Sequence, residues 1–270
     1  MAYSVRSDYW QEALRGMNIV SGNKVEILVD TFDKTEPDEG VIRIVVIREP
    51  TRNLIKDVME YRHCYNYVFT YHQEILDASP LAVKFIQADT WVDKSLKRNK
   101  TFSVSTVVGG KTHPPFPGYK LRHELWSRRK EITIPSLFYL SSHYPYKQVD
   151  YTNELVLGDS KEPLFDSMFH IAIENVHTEN LFTEKIMDCF LSRTIPVYIG
   201  TPNLDKYFNI DGVFMCRNID DVVRVCNTLS LDVYHDKQNA IEENYNIAAN
   251  MPSLKKVMEE TINKILRNDT

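Results

Sequence analysis

The sequence predicts an α/β protein with two lobes, each built around a mainly parallel sheet. Short apolar runs typical of strands alternate with stretches of helical periodicity from residue 25 to residue 229. Such alternation is typical of parallel strands joined by right-handed helical crossovers. It is interrupted by a basic, apolar-poor stretch over residues 94–100, which suits an exposed connection between lobes. A chain of 270 residues is long enough to bury a core in both lobes.

The first lobe is predicted over residues 1–98. Its strands are short and rich in β-branched residues, and they are expected at residues 25–29, 41–47 and 67–70. Helical patterns lie between and after them, so that each strand is followed by a crossover.

The second lobe is predicted over residues 99–250, followed by a C-terminal helix over residues 251–270 that packs back on the first lobe. The expected strands are at residues 102–108, 136–140, 171–173, 194–200 and 213–216. Helices are expected at residues 120–129, after Thr183, at residues 219–229, and in the remainder of the chain with a break at Pro252.

Polar residues are placed at the end of the strand at residues 171–173 and at the start of the helix that follows it. Glu174 and Asn175 directly follow the strand, and Thr183 is a good N-cap for the helix. In open α/β sheets, ligands bind beyond the carboxyl ends of the strands. Glu184 and Lys185 fall in the first helical turn, where a carboxylate can bind ribose hydroxyls. Because an ammonium is unfavourable near the positive end of a helix dipole, Lys185 indicates an anionic ligand such as a diphosphate.

These segments carry a family resemblance. Ile173-Glu-Asn175, then Phe182-Thr-Glu-Lys185 and then the apolar run ending at Gly200 resemble the C-terminal signature of the family 10 glycosyltransferases, the α-1,3/α-1,4-fucosyltransferases. The resemblance implies the GT-B fold, in which two Rossmann-like lobes face each other across a cleft. It also implies an inverting glycosyltransferase that moves fucose from GDP-fucose to a hydroxyl of an oligosaccharide or glycan acceptor.

The resemblance further implies roles for single residues. Arg48-Glu-Pro50 resembles the family's Glu-Ser-Pro segment, which makes Glu49 the candidate catalytic base in an acceptor-binding first lobe. Taken alone, Glu49 also fits the polar start of a loop. Glu174 is expected to contact the donor sugar or the positive charge that develops on its ring. Asn175, Thr183, Glu184 and Lys185 are expected to bind the donor.

Two departures from the family pattern leave the donor open. The family's Tyr before Thr-Glu-Lys is Leu181 here, and its phosphate-binding Arg corresponds to Lys120 or Arg122. Those two residues lie on different faces of the predicted helix, so one of them is expected to reach the phosphates, and Arg is favoured for its bidentate geometry. A UDP-linked donor, for example a pentose such as xylose, is the first alternative. The second is a catalytically inactive protein that binds sugar nucleotides or glycans.

The composition and the motifs of the sequence also limit the partners, the location and the cofactors that are expected. A net charge of −5 argues against a nucleic-acid partner, and no apolar window reaches the roughly 18 residues of a membrane span. The four cysteines form no Cys-x-x-Cys pair and the N-terminus lacks a signal peptide, so a cytoplasmic protein of microbial or viral type is expected. No metal-ligand motif is present, so neither a metal nor another cofactor is expected. Lys185, Arg122 and helix N-termini would balance the diphosphate charge. His170 and His177 are expected to be structural.

Overall fold

The computed structural model describes residues 3–6, 8–50, 52–86, 88–93, 99–111, 116–141 and 155–268. The chain divides into two compact units, of which unit 1 comprises Met1–Gln87 with Pro252–Thr270 and unit 2 comprises Ala88–Met251. Each unit has its own sheet, and the strand pairs recorded in both sheets are parallel. The predicted α/β class with two parallel sheets is therefore confirmed.

The first division falls after Gln87, whereas the sequence placed it after residue 98. The first sheet ends with β5 (Ala82–Lys84), and the residues after Gln87 bond within unit 2, where the backbone N–H of Trp91 donates to the side chain of Asp188. The proposed connecting stretch at residues 94–100 lies largely outside the described residues, which omit 94–98.

Unit 1 is a parallel sheet in simple sequential order. Among the described residues its strands, neighbouring in the order β1-β2-β3-β4-β5, are β1 (Tyr3–Arg6), β2 (Lys24–Val29), β3 (Val41–Ile47), β4 (Tyr67–Thr70) and β5. Its helices are α1 (Asp8–Ala13), α2 (Arg52–Glu60), α3 (Gln73–Ala78) and α9 (Leu254–Asn268).

Both faces of this sheet are covered, which explains why its central strands are almost continuously apolar. On one face, alternate residues of β2 and β3 pack against α9, whose buried residues recur every fourth position. They are Leu254, Met258, Ile262 and Leu266. On the other face, the intervening strand residues pack against α2 and α3.

Unit 2 has its own sheet and helices. Among the described residues its strands are β6 (Thr101–Val108), β7 (Ser136–Leu140), β8 (Leu155–Val156), β9 (Ser167–Ile173), β10 (Ile195–Ile199) and β11 (Phe214–Met215). Its helices are α4 (Pro117–Ser127), α5 (Glu184–Leu191), α6 (Ile219–Cys226), α7 (Leu231–Asp236) and α8 (Gln238–Asn250).

The strand order of unit 2 contains a topological switch point. The order is β11-β10-β9-β6-β7-β8, so the chain runs from β6 outward to β8 and then returns to the other side of β6 at β9. The loops that leave β6 and β9 therefore run in opposite directions and open a crevice at their carboxyl ends. Ligands of doubly wound sheets bind at such a crevice.

Two further observations concern the cysteines and the apolar character of the helices. The four cysteines are buried free thiols. Within the parts of the chain that the structure covers, no helix combines the length and the apolar character needed to cross a membrane.

Candidate active site

A cavity of about 320 Å³ lies at the carboxyl ends of β6, β7, β8 and β9, at the switch point of unit 2. Its wall includes the end of β9 and the first residues of α5. The charged side chains on this wall are Arg122, Asp159, Lys161, Glu184 and Lys185. Three cations and two acids thus surround a crevice of the kind that holds anionic nucleotides in this type of sheet.

Helix α5 begins as the sequence predicts. Thr183 is its N-cap, and the Thr183 hydroxyl accepts a hydrogen bond from the backbone N–H of Lys185. The residues that follow form a buried stripe, consisting of Ile186, Met187, Cys189, Phe190 and Leu191. This packing fixes the helix against the sheet, so that its first turn is held at the cavity wall.

Glu174 connects the end of β9 to the start of α5. Its side chain is 1% exposed, and its two oxygens accept hydrogen bonds from the Thr183 N–H (2.9 Å) and the Thr183 hydroxyl (2.7 Å). The Tyr198 hydroxyl also donates to Glu174, at 3.4 Å. Because Glu174 is engaged in these bonds and is not part of the cavity wall, the geometry favours a positioning role over the direct donor contact predicted from the sequence.

Lys185 is held between two carboxylates. Its Nζ lies 2.9 Å from Glu184 Oε1 and 3.6 Å from Glu174 Oε2, and its side chain is 23% exposed. Burial opposes the charged form of Lys185, yet the carboxylates of Glu174 and Glu184 hold its pKa above the usual value. Lys185 is therefore a fixed positive charge on the wall of the cavity.

Glu184 is the second carboxylate of this group. Burial alone would raise the pKa of Glu184, but the ammonium groups of Lys185 and Lys161 outweigh it and lower the pKa to about 2. Glu184 is thus ionised at neutral pH and is able to accept hydrogen bonds from ligand hydroxyls.

The structure separates the two candidates for the phosphate-binding cation. Arg122 of α4 lies on the cavity wall, where its Nε and Nη2 donate to the carbonyl oxygen of Ile173 at 3.1 and 3.0 Å. Its Nη2 also donates to Asn175 Oδ1, and its guanidinium lies 5.2 Å from the Tyr119 ring centroid. Lys120 is exposed and lies outside the described wall of this cavity. Arg122 is therefore the better-placed cation.

The segment at Asn175 is held against α4 by a close approach of two backbones. The Gly118 N–H donates to the Asn175 carbonyl oxygen at 3.0 Å. A Cβ atom at position 118 would lie 1.8 Å from the Glu174 carbonyl oxygen, so only glycine fits there. This contact places Arg122, one turn further along α4, beside the end of β9.

Asp188 was not recognised from the sequence, where it appears as one acid within an apolar stripe. It is 1% exposed, and its Oδ1 accepts a hydrogen bond from the backbone N–H of Trp91 at 2.8 Å. Burial raises the pKa of Asp188 to about 7; Glu184 adds to this rise, while the Trp91 N–H and the charge of Lys161 act against it. Its partner lies 97 residues away in the chain, so sequence patterns gave no signal for this pair.

Replacing Asp188 with Asn is expected to reduce the loss of folding stability that accompanies rising pH. The folded carboxyl retains its proton up to about pH 7, whereas the unfolded one loses it near 3.8, so folded chains bind more protons within this window. The free energy of unfolding of the Asn variant relative to the original protein should therefore rise by about 2 kcal/mol between pH 5 and pH 7.

Urea unfolding of both proteins across this pH range measures that difference. Burial lowers the pKa of His170 to about 3, which gives the opposite pH dependence, but this contribution is common to both proteins and cancels. A constant difference from pH 5 to pH 7 would contradict the prediction.

Glu49 lies in unit 1, where polar side chains gather at the carboxyl ends of β2, β3 and β4. It is exposed, and its backbone N–H donates to Asp30 Oδ1 at 2.8 Å, as does that of Arg48 at 2.7 Å. Burial raises the pKa of Asp30 against the effect of these two bonds. Burial, with the nearby charges of Glu49 and Asp30, also raises the pKa of Tyr71. Asp30 thus fixes the turn that carries Glu49.

Asp30 is not among the site residues predicted from the sequence. An acid directly after the apolar strand β2 was the available signal, and its backbone, at φ 51°, adopts the left-handed region that Asp tolerates.

Among the residues that the structure covers, no group of three or more His, Cys, Asp or Glu side chains is arranged to hold a metal ion.

Comparison with known proteins gives a local sequence match. The chain is 30% identical over 122 residues to the α-(1,3)-fucosyltransferase FucT of Helicobacter pylori. The matched segment covers 42% of this chain and 25% of that protein. The chain therefore matches only a quarter of the length of this curated relative. No family model matches the sequence.

Solved structures resemble the fold over most of the chain. A crystal structure of an α1,3-fucosyltransferase with GDP-fucose has a TM-score of 0.55 at 18% identity, covering 91% of this chain and 78% of that one. The structure of Alr3699/HepE from Anabaena in complex with UDP-glucose has a TM-score of 0.55 at 12% identity, and the match covers 85% of this chain and 72% of that one. The structural neighbours are GT-B glycosyltransferases, so the chain has the GT-B fold.

Proposed function

We propose that this protein is an inverting glycosyltransferase that moves fucose from GDP-fucose to a hydroxyl of a glycan acceptor. The observation that carries the proposal is the cavity at the switch point of unit 2, whose wall includes both Arg122 of α4 and Lys185 of α5. The local similarity to an α-(1,3)-fucosyltransferase supports the choice of chemistry and of donor.

In the proposed mechanism, unit 2 holds the donor. Lys185 and Arg122 bind the diphosphate, and the partial positive charge at the first turn of α5 adds to theirs. Glu184 accepts hydrogen bonds from the ribose hydroxyls, while Glu174 and Thr183 hold the first turn in place. The two cations stabilise the negative charge that develops on the leaving diphosphate, and this proposal assigns no step to a metal ion.

Unit 1 binds the acceptor in this proposal, and Glu49 acts as the general base. The Glu49 carboxylate takes the proton of the acceptor hydroxyl as that oxygen forms a bond to the anomeric carbon. The bond from the anomeric carbon to the diphosphate breaks, and its electron pair leaves with the diphosphate oxygen. Attack from the side opposite the leaving group inverts the anomeric configuration.

A UDP-sugar donor is the second candidate. A neighbour with the same TM-score as the fucosyltransferase was solved with UDP-glucose, and Leu181 stands where the resembled family has Tyr. A UDP-linked pentose such as xylose would use the same diphosphate site. A catalytically inactive protein that binds sugar nucleotides is the third candidate, and it differs from the other two by showing no transfer.

Lys185→Ala is expected to weaken binding of the preferred nucleotide by about 10- to 150-fold. This range corresponds to the loss of one charged hydrogen bond to a phosphate, about 1.5–3 kcal/mol. Titration calorimetry of GDP, UDP and their sugar conjugates with both proteins measures the effect. Lys206→Ala removes an exposed lysine of the same unit and is the matched control.

The outcomes separate the candidates. Preferential binding of GDP-fucose supports the fucosyltransferase, whereas preferential binding of a UDP-sugar supports the second candidate. Unchanged affinity in the Lys185→Ala variant would refute the role given to Lys185. The absence of any nucleotide binding by the unaltered protein would refute the proposed function.

A further inference from the structure

Trp91 is an exposed tryptophan on the wall of the same cavity. Its side chain is 66% exposed, and it shares this wall with Arg122 and Lys185. Tryptophan has a large apolar surface that proteins usually bury in the core or use for binding. Its exposure at this position therefore calls for a reason beyond packing.

The backbone at Trp91 is anchored firmly. Its N–H donates to Asp188, which is buried in α5 one turn after Lys185, and Asp188 also accepts a hydrogen bond from the backbone of Val92. Val92 itself is buried, with 6% of its surface exposed. The segment is thus tied to the helix that begins at the cavity, and the exposed ring projects from a fixed base.

Two charged side chains, Lys161 and Glu184, lie between this ring and Lys185 and link them through successive contacts. Lys161 Nζ lies 4.5 Å from the centroid of the Trp91 ring and 3.6 Å from Glu184 Oε1. Glu184 Oε1 in turn lies 2.9 Å from Lys185 Nζ. The three separations together set the greatest distance that can lie between the Trp91 ring centroid and the Lys185 ammonium. A nucleoside diphosphate covers this distance from its base to its terminal phosphate.

We infer that Trp91 is the stacking platform for the base of the nucleotide donor, with Lys185 and Arg122 at the diphosphate end of the same ligand. This inference rests on the proposed function and adds the position of the base to it. An aromatic side chain stacks on any nucleobase because every base has a π-face. Trp91 thus contributes affinity for the nucleoside, and other contacts select between guanine and uracil.

Trp91→Leu is expected to weaken binding of GDP and of UDP by at least about 5-fold, the effect of losing one stacked base. Binding of inorganic diphosphate should be unchanged, because that ligand has no base. Lys185→Ala should weaken binding of all three. Titration calorimetry of GDP, UDP and inorganic diphosphate with the unaltered protein and both variants provides the comparison.

Tryptophan fluorescence gives a second readout. The sequence contains three tryptophans, and stacking on Trp91 should quench part of their emission when GDP binds. Trp91→Phe keeps an aromatic face, so it should retain most of the affinity and lose the quenching. Trp126→Phe, a change in α4, is the control that should keep the quenching.

The outcomes distinguish this inference from the function on which it rests. If the unaltered protein binds GDP or UDP and Trp91→Leu binds it equally well, the platform is refuted while the proposed function stands. An equal loss of nucleotide and diphosphate binding in Trp91→Leu would also refute the platform. If the unaltered protein binds neither nucleotide nor diphosphate, the proposed function and this inference fall together.

Discussion

Glu49→Gln is expected to lower the rate of sugar transfer by about 10²- to 10⁴-fold, the contribution of a positioned general base. Glutamine keeps the size of the side chain, but its amide does not take up the proton of the acceptor hydroxyl. Affinity for the donor should be unchanged, because the residues proposed to bind it belong to unit 2. Transfer rates at saturating donor, together with calorimetric donor binding, measure both parts of the prediction.

The control for this variant is Glu39→Gln, which neutralises an exposed glutamate before β3 in the same unit. If Glu49→Gln transfers sugar at the original rate, Glu49 is not the base. Asp30 would then be the next carboxyl to change, since it lies beside Glu49 and its pKa is raised by burial. If the unaltered protein transfers no sugar to a broad set of acceptors, the inactive binding protein becomes the favoured candidate.

Glu174→Ala is expected to lower the free energy of unfolding by about 1–3 kcal/mol, the cost of leaving a buried polar group without its partner. The change removes the acceptor of the buried Tyr198 hydroxyl and of the partly buried Thr183 N–H. It also removes one of the two carboxylates beside Lys185. Urea unfolding measures the loss, and donor binding should weaken with it because the first turn of α5 loses its support.

Two comparisons test the role of Glu174 in positioning this turn. Glu179→Ala, at an exposed position in the loop between β9 and α5, should be close to neutral. Glu174→Gln keeps one oxygen acceptor and should fall between the original protein and the Ala variant. If Glu174→Ala folds with its original stability but loses transfer alone, Glu174 acts directly on the donor, as the sequence had suggested.

The strands and helices of the core were predictable because their patterns are local. The apolar run of β9 and the N-cap at Thr183 each occupy a few consecutive residues, and both are found where predicted. Strands β1, β5 and β8, of four, three and two residues, were not predicted, whereas β4 and β11, of similar length, were. Such short segments have no distinctive periodicity, and their pairing with the neighbouring strand defines them.

The site was predictable only in part for a related reason. Glu184 and Lys185 are adjacent in the chain and mark the helix start, so a local pattern was enough to find them. The partner Tyr198 lies 24 residues after Glu174, and Asp188 lies 97 residues after Trp91. Contacts over such distances depend on the strand order, which the sequence pattern leaves undetermined.

The place of α9 in the core of unit 1 has a consequence for synthesis on the ribosome. Unit 2 is one uninterrupted stretch of chain, so every part of its core has been synthesised before α9. Unit 1 receives Leu254, Met258, Ile262 and Leu266 only after unit 2 has been synthesised. Unit 1 is therefore begun before unit 2 and completed after it, and during that delay its apolar sheet face is exposed to chaperones and to aggregation.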